Sequence, residues 1–188
     1  TVGQTKDEIY VNSLNDSSYY LGSSSPKKAL NIAEKSIALS KRIGYRKGEI
    51  MAYCRKGNAL VETGELNAAL SSYEKAEKLF NNSSVDSIIL AKIFIYKASI
   101  YRRKGTVDRA LSLNKYSFDI AVRQQNPVIM SSSAINMSLI HKEKGHYKKA
   151  LMLLHGAIRI LPEQNHEEFG VLYNCLLYTS PSPRDSSP

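Results

Sequence analysis

Apolar residues recur along this chain at three- and four-residue intervals rather than in alternation. Between Ala68 and Phe80, for example, Ala69, Leu70, Tyr73, Ala76, Leu79 and Phe80 share one stripe, with Ser, Glu and Lys between them. That spacing is the signature of an amphipathic helix with one buried face. The pattern is interrupted at Gly22-Ser-Ser-Ser-Pro26, Gly64, Asn81-Asn-Ser-Ser84, Gly105, Gln125-Asn126-Pro127, Gly145 and Pro162-Glu-Gln-Asn165, all of them turn signals. The interruptions predict helices over 6–20, 26–43, 46–63, 66–80, 85–104, 107–124, 128–144 and 147–161, with a ninth beginning near Glu167. Ser25 ahead of Pro26 suits an N-cap and first-turn proline, and Ser84 and Thr106 stand where they could cap the helices that follow. No segment reads as a strand, so the fold class is all-α.

These units repeat. Gly64 is followed five and six residues later by Ala69-Leu70, Gly105 by Ala110-Leu111 and Gly145 by Ala150-Leu151, with a degenerate first copy at Ser24, Ala29 and Leu30. The intervals are 40, 41 and 40 residues. A fixed period of this size means stacked helix pairs, an α-solenoid, and hence an extended surface suited to binding.

Composition refines this only slightly. The chain has 188 residues and a formal net charge of +9, which favours acidic partners electrostatically. No apolar run approaches the roughly 18 residues needed to cross a bilayer; the longest, 85–101, is broken by Asp86, Lys92 and Lys97. Residues 175–185 resemble a translated sequencing-library adapter, so residues 175–188 are expected to be a non-native tail and 1–174 the repeat domain. Within the repeat domain Cys54 is then the single cysteine, unable to form an internal disulfide. The first residue is Thr, so the chain is expected to continue upstream; compartment stays open, with the cytoplasm favoured.

Small residues extend the pattern. Ser17, Gly57, Ala98 and Ser138 lie seven residues before the turn position, and Ser36, Ala76, Ser117 and Ala157 lie seven after the first Ala. Tyr53, Leu60, Phe94, Tyr101, Leu70, Leu111 and Leu151 supply bulk between them, as do Tyr73 and Leu154 on the second helices. In this arrangement the chain resembles the tetratricopeptide repeat family. The resemblance implies a right-handed superhelix of antiparallel helix pairs, with repeats at about 6–43, 46–80, 85–124 and 128–161, closed by Pro162, and the start of a fifth at 166–174. Small residues are needed where helix backbones approach; a Leu at Gly57 or Ala69 would overpack the crossing by roughly 1–3 kcal/mol. Asn114 departs from the bulky position, which makes the third repeat the weakest match. The usual repeat is about 34 residues; this longer one is similar to repeats of bacterial signalling proteins. HEAT-type repeats share the period but not the Gly/Ala-Leu register.

The same resemblance places the first helix of each repeat on a concave face. The residues directed there are Met51, Cys54, Arg55, Asn58 and Val61, then Lys92, Ile95, Tyr96, Ser99 and Arg102, then Ser132, Ile135, Asn136, Leu139 and Lys142. The expected partner is a peptide or helix of another protein, with acidic groups favoured. The carboxylate clamp of some relatives is not reproduced: Asn58 fits, but Cys54, Tyr96, Ser132 and Asn136 replace its cations and amide. The basic runs Arg102-Arg-Lys104, Lys142-Glu-Lys144 and Lys148-Lys149 lie at helix C-termini and beside turns, where the helix dipole favours cations without any ligand. Nucleic acid is therefore not an expected partner. His141, His146, His155 and His166 lack metal-ligand spacing, and no phosphate loop or nucleophile motif occurs; no cofactor and no catalysis are expected, and His141 reads as a packing residue. The expected function is a scaffold, the sensory part of a larger signalling protein. The alternative is an intramolecular regulator of an attached histidine kinase or helix-turn-helix domain. An open C-terminal end exposing Leu154, Ala157, Ile158 and Leu161 is expected to promote self-association.

Overall fold

A computed structural model describes residues 4–80 and 86–160. Among these, eight helices and no strand occur: α1 (Lys6–Leu21), α2 (Pro26–Ile43), α3 (Arg46–Glu62), α4 (Leu66–Phe80), α5 (Ser87–Arg103), α6 (Val107–Arg123), α7 (Pro127–Glu143) and α8 (Tyr147–Ile160). The expectations for Ser84, Val85, Leu161, Pro162, His166, the helix near Glu167 and the tail 175–188 lie outside the described residues.

The turn glycine's role follows from helix ends, which leave carbonyls without partners. Gly64 adopts φ +82°. This left-handed conformation lets the Gly64 N–H reach the Val61 carbonyl (3.1 Å) and the Glu65 N–H reach the Leu60 carbonyl (2.8 Å), a Schellman closure. Glu65 then starts the next helix, its carbonyl accepting from the Ala69 N–H at 2.9 Å. The five-residue step from Gly to Ala is thus the distance from one helix's end to its successor's first buried turn. Gly105 and Gly145 do the same, at φ +76° and +75°.

The first copy deviates. Gly22 is right-handed, with φ −48°, so the α1–α2 turn lacks this closure and the phase of α1 slips by one residue. Ser17 is exposed and bonds the Ser13 carbonyl of its own helix. Ser18, not Ser17, is the buried small residue, its hydroxyl donating to the Ala29 carbonyl at 2.8 Å. Capping also differs from expectation at three starts. Thr106 turns its hydroxyl back to the Tyr101 carbonyl instead of capping α6. Ser25 holds the N-cap position of α2 without a side-chain bond. α7 begins at Pro127, because Asn126 accepts from the Ile129 N–H at 3.0 Å.

The chain divides into two units at Ile100/Tyr101, within α5. In the first, α1 packs on α2, α2 on α3, α3 on α4, and α1 also on α3, so successive first helices lie side by side. Its core gathers Ile37, Ile50, Tyr53, Leu60, Tyr73, Ile93 and Ile100. Two glycines permit the closest approaches: a Cβ on Gly57 would stand 2.5 Å from the Tyr73 ring, and one on Gly48 would stand 2.6 Å from Val11. The buried Lys97 ammonium is paired with Glu77 at 2.5 Å.

In the second unit α6 packs on α7 and α7 on α8. Serines do here what glycine and alanine do in the first: Ser131 donates to the Ala157 carbonyl (2.8 Å) and Ser133 to Ser117 (2.9 Å). Asn114 is fully buried, and α6 keeps its pairing despite it. Leu154 and Ala157, expected at an open end, are buried against Ala134 and Ile135 of α7, so they contribute no exposed patch for self-association. No helix among the described residues is long and apolar enough to cross a membrane.

Candidate interaction face

α3 meets α2 and α4 through Ile50, Tyr53, Gly57 and Leu60. Its next stripe, Met51, Cys54, Arg55, Asn58 and Val61, runs along the helix between the first helices on either side. Cys54 belongs to the core: it is buried, and burial pushes its thiol up to about 12, which keeps it protonated and unreactive. Asn58 is half-buried and accepts from the Tyr73 hydroxyl at 2.6 Å. The Tyr73 ring stacks on Tyr96 of α5, centroids 5.4 Å apart. Burial raises both phenols above their usual range, so the pair stays neutral. Together Asn58, Tyr73 and Tyr96 form a fixed aromatic and amide floor.

Cations stand beside this floor. The Arg55 guanidinium lies 4.5 Å over the Tyr19 ring of α1, and its Nε is buried without a hydrogen-bond partner. A guanidinium on an aromatic face is attracted by the ring quadrupole and stays available to an anion at its edge. Further along, α1, α3 and α5 enclose a cleft of about 350 Å³. Asn12 and Asp16 of α1, Lys47 and Met51 of α3, and Asp86 and Lys92 of the α5 end line it, with Tyr45 bridging to Asn12 at 3.3 Å. Lys92 is exposed and Ser99 half-buried on α5. Of the expected set, Met51, Arg55, Asn58, Lys92 and Tyr96 therefore fall in one region of the first unit.

The second-unit residues are more committed to their own fold. Arg102 pairs with Glu143. The Ser132 hydroxyl bonds the Val128 carbonyl at 2.8 Å, and Leu139 packs with Met137 on the α7–α8 core. Asn136 and Lys142 are half-buried. Ile135, by contrast, is core. His141 is buried, with Nδ1 unbonded and its ring 5.8 Å from His146.

Sequence reasoning missed the α1 contribution, Asn12, Asp16 and Tyr19, and it missed Lys47. The spacing of 12, 16 and 19 is a helical stripe, but the slipped phase of α1 hid which stripe faces α3.

The tetratricopeptide repeat family model matches residues 52–83, from α3 through α4. No curated protein matches the chain. Tetratricopeptide repeats generally mediate protein–protein interaction and are generally non-catalytic scaffolds. The matched segment holds Gly57 against Tyr73, Gly64 at the turn and Ala69 and Ala76 at the crossings; this segment is a tetratricopeptide repeat by its match, and the described residues around it are all-α with neighbouring helices packed in pairs, as in a solenoid of such repeats.

Proposed function

We propose that the chain is the recognition part of a larger signalling protein, and that the face shared by α1, α3 and α5 receives a peptide or helix of another protein bearing acidic groups. The observation that carries this is the Arg55 guanidinium, seated on Tyr19, one helical turn along α3 from Met51 and the cleft that Lys47 and Lys92 line. Arg55 as a whole is half-buried, and a guanidinium already held on an aromatic ring loses little freedom when it meets a carboxylate. Asp16 and Asp86 in the same cleft would set the register by repelling misplaced acids. Asn136 and Lys142 of the second unit are assigned the corresponding role there. The signalling assignment is supported by the 40-residue period.

Panning a random peptide display library on the full chain tests the reading. Acidic peptides should be enriched, and R55A with K92E should weaken them about tenfold or more, against little change for K75E on the outer side of α4. Peptides that bind all these variants alike would place recognition elsewhere.

A further inference from the structure

α2 buries one stripe, Ala29, Ala33, Ser36, Ile37 and Ser40, and α1 buries Val11, Asn15 and Ser18. Among the described residues, no helix packs on the opposite side of this hairpin. There, two adjoining depressions of about 420 and about 390 Å³ share Lys35 and form a groove between the helices. Its floor is apolar: Leu14 and Leu21 from α1, Ile32 and Leu39 from α2. Tyr10, 58% exposed, stands at its lip. Lys28, Ile32, Lys35, Leu39 and Arg42 follow one another at steps of four and three, so the groove tracks α2 for about 21 Å.

Charge distinguishes this groove from the face already described. Lys27, Lys28, Lys35 and Arg42 line it, and no Asp or Glu does. Glu34, the acid of α2, is turned to Lys56 of α3 at 2.7 Å. We infer that the groove docks an acidic amphipathic helix supplied by another protein. An apolar stripe at helical spacing fits the floor by the helix-in-groove mode, and carboxylates along the flank that faces α2 meet the four cations, all of them on that helix. A second copy of the chain is a poor occupant, because the same groove turned on itself sets cations against cations.

The probe is an 18-residue helical peptide with a Leu stripe flanked by Glu, titrated into the full chain by fluorescence anisotropy; the controls are the Lys-for-Glu peptide and a scrambled one. The acidic peptide should bind, and L39D, or K35E with R42E, should weaken it tenfold or more while leaving helicity by circular dichroism unchanged. K35E with R42E should in turn gain affinity for the Lys peptide, a reversal that mere loss of folding would not give. Equal binding of scrambled and ordered peptides, or loss of binding in R55A with K92E but not in L39D, would overturn the assignment. So would a wild-type dimer in sedimentation that L39D abolishes, since a second copy would then be the occupant.

Discussion

Asn114 fills a fully buried site on α6 with only part of its polarity matched. Its Nδ2 donates to the Ala110 carbonyl at 3.0 Å, one turn back, while Oδ1 has no partner. Burying an unmatched amide oxygen costs roughly 1–3 kcal/mol, and Leu has the same number and branching of side-chain heavy atoms, in a somewhat larger side chain, without that cost. Asn114→Leu should therefore raise stability by about 1–2 kcal/mol in urea denaturation; a loss would show that the site cannot accept a branched side chain. His141 poses a related problem that depends on pH. Burial, then the positive charges of Lys149, His146 and Lys144, hold its pKa below the usual 6.5. The folded protein thus binds its proton less readily than the unfolded chain does. Its contribution is complete above the unfolded value and is lost as pH falls below about 6.5. Thermal midpoints measured from pH 8 to 5 should fall in that window, and His141→Leu should flatten the decline. An unchanged profile in the variant would assign the acid sensitivity to other groups.

At the scale of the elements, five turns among the described residues close by the same pair of hydrogen bonds, at Gly44, Gly64, Gly105, Gln125 and Gly145. Gln125 alone among them carries a side chain, at φ +50°. The left-handed region costs a non-glycine residue roughly 1 kcal/mol. Gln125→Gly should therefore stabilise the α6–α7 turn by about 0.5–1 kcal/mol, read as a shifted denaturation midpoint at constant slope; no shift would mean that unfolded-state entropy cancels the relief. This geometry also explains what was legible in the sequence. Where glycine closes the helix, the positions of the turn, the first buried Ala and the small crossing residues are all fixed locally, and the second, third and fourth helix pairs fall within a residue or two of expectation. At α1 the turn is right-handed, the local rule fails, and Ser17 is mistaken for Ser18. Gly48 was invisible for a different reason: its need for no side chain comes from Val11 and Tyr45, and Val11 is distant in the chain. The candidate face was half legible likewise. The α3 and α5 residues follow from register, whereas Tyr19 and the cleft wall follow from how α1 lies against α3.

For the whole molecule, the net charge of +9 is the property that any partner meets first. It is distributed unevenly between neutralised and available groups. Arg102 is paired with Glu143, Lys144 with Asp108, Lys97 with Glu77 and Lys56 with Glu34. Those pairs take Arg102 and Lys144 from the basic runs that would suggest phosphate binding, while the cations of the α1–α2 groove face no acid lining it. A protein of this charge attracts any polyanion at low ionic strength, and counterion release makes that attraction steeply salt-dependent. Duplex DNA should therefore bind weakly at about 50 mM salt and be released by about 200 mM, irrespective of sequence. Exposed surface pairs are themselves worth little and are screened by the same salt, so raising ionic strength does not uncover a second mode. The acidic amphipathic peptide should behave differently, because its Leu stripe is held by apolar burial that salt does not screen. Its affinity should decline only severalfold over the same interval. A DNA complex that persists at about 200 mM salt, or that prefers one sequence, would show the charge to be organised for nucleic acid rather than for an acidic helix.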